Sequence, residues 1–143
     1  MKKSISVFTD GGARGNPGPA AAAFIVTDEQ GKIIFSAGKK IARATNNVAE
    51  YTAVIEALKW LAANLAKVRP HQQPINFFVD SKLIVSQLNG LFKVKNSNLR
   101  KLIIEIRKLE QIVGGNIFYY YIPREKNQES DFLVWKTFRQ STP

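Results

Sequence analysis

Ser4-Ile5-Ser6-Val7-Phe8-Thr9-Asp10 alternates polar and apolar residues and then breaks at Gly11-Gly12. A period of two marks a strand with one buried face. Residues 11–19, rich in Gly and Pro, read as a turn region. Residues 20–27 and 32–38 read as two further strands around the turn Asp28-Glu29-Gln30-Gly31. Connections this short predict an antiparallel meander of three strands. The period then changes. Tyr51, Val54, Ile55, Leu58, Leu61, Ala62 and Leu65 recur at helical spacing, which predicts an amphipathic helix over 47–67. Residues 75–79 form a compact apolar strand, and residues 81–89 a short helix. Leu99, Leu102, Ile103, Ile106, Leu109 and Ile112 or Val113 line a helix over 98–113, which Gly114-Gly115 stops. An aromatic strand (116–122), a turn (123–126) and a last helix (127–139) complete the order βββαβααβα. Strand–helix–strand units need right-handed crossovers and parallel pairing. The expected fold is therefore α/β: a five-stranded mixed sheet, three strands antiparallel and then two parallel, with helices on both faces.

The chain has 143 residues, and no linker, repeat or low-complexity tract divides it, so residues 1–143 are expected to form a single domain. It contains no cysteine, which removes thiolate nucleophiles, iron–sulfur clusters and disulfides. The one histidine, His71, lies in a polar loop and carries no assigned chemistry. Met1-Lys2-Lys3 resembles the start of a signal peptide, but the apolar run after it ends at Asp10. That is too short for the apolar core of such a peptide, and a cytoplasmic protein with no membrane partner is expected. Lys+Arg 21 against Asp+Glu 11 gives a net charge of +10. Such an excess suits a polyanionic partner, nucleic acid before membrane surface.

Against this basic background four carboxylates stand out. Asp10 and Asp80 each end a strand. If those strands are parallel neighbours, both side chains reach the carboxyl edge of the sheet, where ligands bind in α/β folds. Each also has an ordinary reading, Asp10-Gly11 as a turn and Asp80 as a helix cap. Glu50 has capping-box spacing from Asn47, yet it shares a stripe with Val54, Ala57 and Leu61. Asp131 shares one with Val134, Trp135 and Phe138, and a solvated Asp does not belong on an apolar stripe. Carboxylates that converge repel one another, and divalent cations relieve the repulsion. An oxygen-only ligand set suits magnesium or manganese rather than zinc. Two such ions about 4 Å apart form a recurrent device for phosphodiester chemistry.

Four ordered motifs carry a family resemblance. Phe8-Thr9-Asp10-Gly11-Gly12-Ala13-Arg14-Gly15-Asn16-Pro17-Gly18-Pro19, Thr45-Asn46-Asn47-Val48-Ala49-Glu50-Tyr51, Val79-Asp80-Ser81-Lys82-Leu83-Ile84-Val85 and the segment from Pro123 to Val134 resemble the motifs of type 1 ribonuclease H. The resemblance implies a ribonuclease H-like fold. It implies an endoribonuclease that cuts the RNA strand of RNA/DNA hybrids and leaves 3′-hydroxyl and 5′-phosphate ends. Asp10, Glu50, Asp80 and Asp131 match its metal-binding carboxylates, with two Mg2+ ions in the substrate complex and Mn2+ as the alternative ion. Asn16, Asn46 and Asn47 match positions that touch the RNA strand around its 2′-hydroxyls, the group that separates RNA from DNA. Arg43, Thr45 and Asn96 match a pocket for a DNA-strand phosphate; helix caps, turn roles and solvated charges are their ordinary readings.

The sequence departs from the family pattern in places. Arg124 stands where many members carry a histidine in the last loop, and as an accessory group its role is expected to be electrostatic or in product release. The long basic protrusion of many bacterial members is missing, so Lys93, Lys95, Arg100 and Lys101 are the candidates for gripping the hybrid, beside a plain solvated-face reading. Ser130 replaces the usual Ala before the last Asp. The protrusion-less, archaeal-type subgroup includes members that also cut double-stranded RNA, so that substrate stays open. A hybrid-binding module that does not cut and a nucleotide-binding domain of the actin-like kind are the other readings. A monomer is expected.

Overall fold

The computed structural model describes residues 4–91 and 93–140, so the Met1-Lys2-Lys3 start lies outside the described residues. The elements run β1 (Ile5–Ala13), β2 (Gly18–Thr27), β3 (Ile33–Ala44), α1 (Asn46–Ala63), α2 (Leu65–Val68), β4 (Ile75–Val79), α3 (Lys82–Leu88), α4 (Ser97–Val113), β5 (Ile117–Tyr121), a 3-10 turn (Arg124–Lys126) and α5 (Gln128–Arg139). The sheet order is β3-β2-β1-β4-β5. Strands β1, β2 and β3 pair antiparallel, and β4 pairs parallel with both β1 and β5, as the sequence order implied. Among the described residues no helix is long and apolar enough to cross a membrane.

The two sheet faces are covered unequally. One face carries the main core: Val7, Val26 and Phe77 pack with Val54, Leu58 and Leu61 of α1, and Ile106 of α4 is buried behind them. On the other face α5 lies over β1, β2 and β3, with Val134 against Ala21 and Ala23. Small residues set its distance. A Cβ at Gly38 would strike the buried Thr137 side chain of α5.

Three element boundaries differ from the sequence reading, each for a physical reason. β1 does not end at Asp10: Asp10 pairs with Ala23 and the ladder continues to Ala13↔Ala20. Glycine lowers strand propensity without preventing pairing when the partner strand is already in place. The parallel ladder to β4, in contrast, stops at Thr9↔Val79, so Asp10 sits where β1 loses one neighbour. β3 runs to Ala44 rather than stopping at Gly38. It is an edge strand, where Lys39 and Lys40 remain solvated while the backbone pairs with β2. The helix expected over 47–67 is broken at Asn64, whose Nδ2 donates to the Trp60 carbonyl at 2.8 Å. Asn side chains compete in this way for backbone partners. Gly114, at φ 106°, ends α4 in the left-handed conformation that glycine adopts freely.

Strand β1 meets the backbone of α1 at Gly11. A Cβ there would overlap the Ala49 carbonyl and the Glu50 nitrogen of α1, whereas a Cβ at Gly12 meets nothing within 4 Å. Gly11→Ala is expected to destabilise the fold by about 1–3 kcal/mol in denaturant unfolding, the cost of overpacking a filled contact. Gly12→Ala should stay within about 0.5 kcal/mol of the parent, because Ala also restricts the unfolded chain.

Candidate active site

The carboxyl edge of β1 and β4 opens on a cleft of about 380 Å³ whose wall includes Asp10, Glu50, Asp80, Arg124, Asp131 and Trp135. Within it, one carboxylate oxygen each from Asp10, Glu50 and Asp80 lies within 4.8 Å of the others. Asp10 comes from β1, Glu50 from the first turns of α1, and Asp80 from the residue after β4. Asp131 of α5 lines the same cleft and acts on Asp10 through a side-chain hydrogen bond and its charge, although it is not one of the trio that lies within 4.8 Å.

The structure separates the capping readings from the site readings. Thr45, not Asn47, caps α1, its Oγ1 accepting from Val48 N at 3.2 Å. Glu50 therefore has no capping duty, and its Oε1 instead accepts from Gly11 N at 3.1 Å. Ser81 caps α3 through its Oγ, which frees Asp80 from the cap role. Asp80 Oδ2 accepts from Asn127 Nδ2 at 3.0 Å.

Burial makes this cluster electrostatically costly. Asp10 and Glu50 are 5% and 7% exposed. Burial, with added repulsion from Asp80 and Asp131, pushes the Asp10 carboxyl up to about 7, against a hydrogen bond with Glu50 that lowers it. Burial first, then the Asp10 charge, holds Glu50 well above the usual carboxylate range. Glu50 Oε2 is buried without a hydrogen-bond partner. A buried acceptor with no donor is expensive unless something positive meets it. Oxygen ligands alone, one of them orphaned, fit a hard divalent cation.

The amide residues form the neighbouring wall. Asn46 Oδ1 accepts from Ala13 N at 2.9 Å, and Asn16 Oδ1 accepts from Asn46 N at 2.9 Å. The β1–β2 loop and the start of α1 are thereby tied into one unit, and Asn47 lines the cleft beside them. Arg43 is exposed near the end of β3. Asn96 caps α4, its Oδ1 accepting from Asn98 N at 2.9 Å and Leu99 N at 3.1 Å. Among the described residues no hydrogen bond joins Arg43 or Thr45 to Asn96. Residues 89–96 connect α3 directly to α4, so no basic protrusion intervenes. Lys93, Lys95, Arg100 and Lys101 are exposed around that connection, and Arg100 Nε donates to the Val94 carbonyl at 2.7 Å. His71 is exposed in the α2–β4 loop, and its backbone N–H donates to Gln73 Oε1 at 3.0 Å.

Comparison with known proteins now bears on this geometry. A reverse transcriptase-like family model matches residues 8–137. The chain is 35% identical over 131 residues to ribonuclease HI of Halobacterium salinarum, a match covering 91% of this chain and 62% of that one. It is equally identical to a bifunctional protein of Mycobacterium tuberculosis, of which the match covers only 34%. The chain thus spans about a third of the mycobacterial relatives it matches. The solved structure of LC11-RNase H1, isolated from compost, superposes with a TM-score of 0.86 at 39% identity, covering 96% of both chains. That protein is also known in complex with an RNA/DNA hybrid, at a TM-score of 0.85 and 38% identity over 92% of this chain and 94% of that one. The chain belongs to the type 1 ribonuclease H family.

Within this ribonuclease H fold, sequence reasoning missed Asn127. It is 2% exposed, and its Nδ2 bridges the Thr9 carbonyl (2.9 Å) and Asp80. Ser130, fully buried, donates from Oγ to the Asn127 carbonyl at 3.1 Å and also bonds Asn127 Oδ1. The Ser130 departure from the family pattern is thus part of the support for Asp80. The sequence reading made Asn127 the first residue of the last helix, whereas it precedes that helix, makes no side-chain cap bond and spends its amide on distant partners.

Two expectations follow. Asn127→Ala should lower kcat more than it raises KM and should cost about 1–3 kcal/mol of stability, since it leaves the buried Thr9 carbonyl and Asp80 without their donor. In EDTA the raised carboxyls stabilise the fold while protonated. That stability is fully present below the unfolded carboxylate range, about pH 4, and is lost as pH rises through about 7. The Tm of the metal-free protein should therefore fall by at least about 5 °C between pH 5 and pH 8. Asp10→Asn should flatten the fall, and magnesium should reverse it at pH 8.

Proposed function

We propose that this protein is a divalent-metal-dependent endoribonuclease that hydrolyses the RNA strand of RNA/DNA hybrids and leaves 3′-hydroxyl and 5′-phosphate ends. The observation that carries the reading is the trio Asp10, Glu50 and Asp80, with one Glu50 oxygen buried and unpartnered, beside the cleft wall of Asn46 and Asn47 to which Asn16 is bonded. The RNA/DNA complex of LC11-RNase H1 supports the substrate.

Asp10, Glu50, Asp80 and Asp131 would hold two divalent ions, Mg2+ or, as the alternative, Mn2+. Ions bound there supply an activated water and charge stabilisation for in-line displacement at phosphorus. The chain's own residues do the rest. Gly11 N–H holds one oxygen each of Asp10 and Glu50, which fixes the carboxylates in place before substrate arrives. Asn127 fixes Asp80. The side-chain amides of Asn46 and Asn47 stand on the wall that faces the RNA strand, where they can both donate to and accept from a 2′-hydroxyl. Arg124, exposed at the cleft edge, offers guanidinium N–H donors and no acceptor; it offsets phosphate charge as product leaves. The exposed Lys93, Lys95, Arg100 and Lys101 add a salt-sensitive grip on the duplex backbone.

The test is a cleavage assay on one labelled RNA strand, offered single, paired to DNA and paired to RNA, with magnesium, manganese or EDTA. The expected result is metal-dependent cutting of the hybrid that falls by about a thousand-fold or more in Asp10→Asn, a loss of ~4 kcal/mol in transition-state stabilisation. Affinity for the hybrid should fall steeply between 50 and 200 mM salt, by about three-fold for each phosphate contact that releases a counterion. Cutting of the RNA duplex as well would widen the substrate class, and hybrid binding without cutting would replace the enzyme reading with that of a binding module.

A further inference from the structure

The β1–β2 loop carries a cation that neither the fold nor the proposed chemistry uses. Arg14 stands two residues before Asn16, with its backbone fixed by a bond from its N–H to the Pro19 carbonyl at 2.8 Å. Its guanidinium carbon lies 4.7 Å from the centre of the Phe138 ring and 5.6 Å from that of Trp135. The two rings sit 5.4 Å apart on α5. The side chain is exposed and, among the described residues, makes no ion pair. Two aromatic faces therefore hold a planar cation in one place while its N–H groups stay unspent.

The location gives this cation a use. Trp135 is one turn beyond Asp131 and lines the carboxylate cleft, yet it is 42% exposed. The apolar stripe of α5 buries Val134 and leaves Trp135 at the cleft lip, where it supports Arg14. The loop is tied to Asn46 through Asn16, so Arg14 and the amide wall form one unit. A phosphodiester strand lying along that wall must pass a centre of four carboxylates that repels it. Arg14, seated on Trp135 of the cleft wall, places a positive charge on the α5 side of that centre, and Arg124 is the arginine that lines the cleft itself. A guanidinium matches two phosphate oxygens at once, which a base edge or a sugar does not offer.

We propose that Arg14, held by Trp135 and Phe138, binds one backbone phosphate of the RNA strand next to the cleaved bond. The proposal rests on the hybrid-cleavage reading above. It makes Arg14 a substrate-positioning residue, and it makes the aromatic pair its mount.

The experiment measures KM and kcat on an RNA/DNA hybrid with magnesium. Arg14→Ala should raise KM about tenfold with kcat within about twofold, the size expected of one charge-assisted contact. Arg14→Lys should recover part of the loss, because it keeps the charge without the fork. The deciding arm uses hybrids with a single neutral methylphosphonate linkage walked along the RNA strand. At one linkage beside the cut, the wild type should lose as much as Arg14→Ala loses on the natural hybrid, and Arg14→Ala should lose nothing further there. Trp135→Leu should weaken the same linkage. An unchanged KM in Arg14→Ala overturns the proposal. So does a loss that adds equally to every methylphosphonate, or a lowered Tm with lowered kcat and no position dependence, which would make Arg14 a strut for α5. A wild type that neither binds nor cuts the hybrid removes the functional reading, and this proposal falls with it.

Discussion

One backbone N–H organises the centre of this protein. Gly11 N donates to Asp10 Oδ1 at 2.9 Å and to Glu50 Oε1 at 3.1 Å, so two buried carboxylates share a single donor. Sharing is possible only because Gly11 has no Cβ, which lets β1 lie against the first turns of α1. The same contact that seals strand to helix thus delivers Glu50 to Asp10. It also leaves the pair short of donors, with Glu50 Oε2 unmatched. A fold that buries two carboxylates and supplies one N–H has built a demand for positive charge at a defined point. The cluster is costly when ionised, and a divalent cation bound there would relieve the repulsion among its carboxylates.

The other half of the cleft is held differently. α5 has no such close backbone contact with the carboxylates. It is seated on β2 and β3 by Ala21, Ala23 and Gly38, and its entry is pinned by Asn127 between Thr9 and Asp80. Asp131 is therefore positioned by helix packing, and Asp80 by a side-chain amide. The trio within mutual reach is the one joined through β1, and Asp131 meets it through Asp10. Asp10 and Asp80 thus stand at the sheet edge and Glu50 on α1 against β1, while Asp131 is carried by the helix on the other face.

Much of this was readable from the sequence because periodicity reports which face is buried. The order of elements, the parallel pairing of β1 with β4 and the inward stripe of Val54, Ala57 and Leu61 under Glu50 all follow from spacing. What spacing cannot report is how a backbone behaves when its neighbours are already in place. Gly11-Gly12 reads as a break, yet the ladder to β2 carries the strand through it to Ala13. Asn64 reads as one more polar residue on a helix, yet its side chain takes the Trp60 carbonyl and ends that helix. Asn127 and Ser130 act through bonds to residues more than a hundred positions away or within one buried turn, and no local pattern encodes the former. Arg14 escaped notice for a related reason. Its partners Trp135 and Phe138 lie at the far end of the chain, and their stripe reads as core.

The capping residues show why a structural role and a binding role need not compete. Thr45 and Asn96 satisfy helix N–H groups with an oxygen, the acceptor half of each side chain. A phosphate has only acceptors to offer, so it asks for donors. The Thr45 hydroxyl proton and the Asn96 amide protons are not consumed by capping. Each side chain is also held still by the cap bond, so less freedom remains to be lost when a donor is used. The cap role of Thr45 and Asn96 is therefore compatible with a phosphate contact, because capping uses the acceptor and not the donor. The same division runs through Gly11 and Glu50: one oxygen of the carboxylate is spent on the fold, and the other is left for a cation.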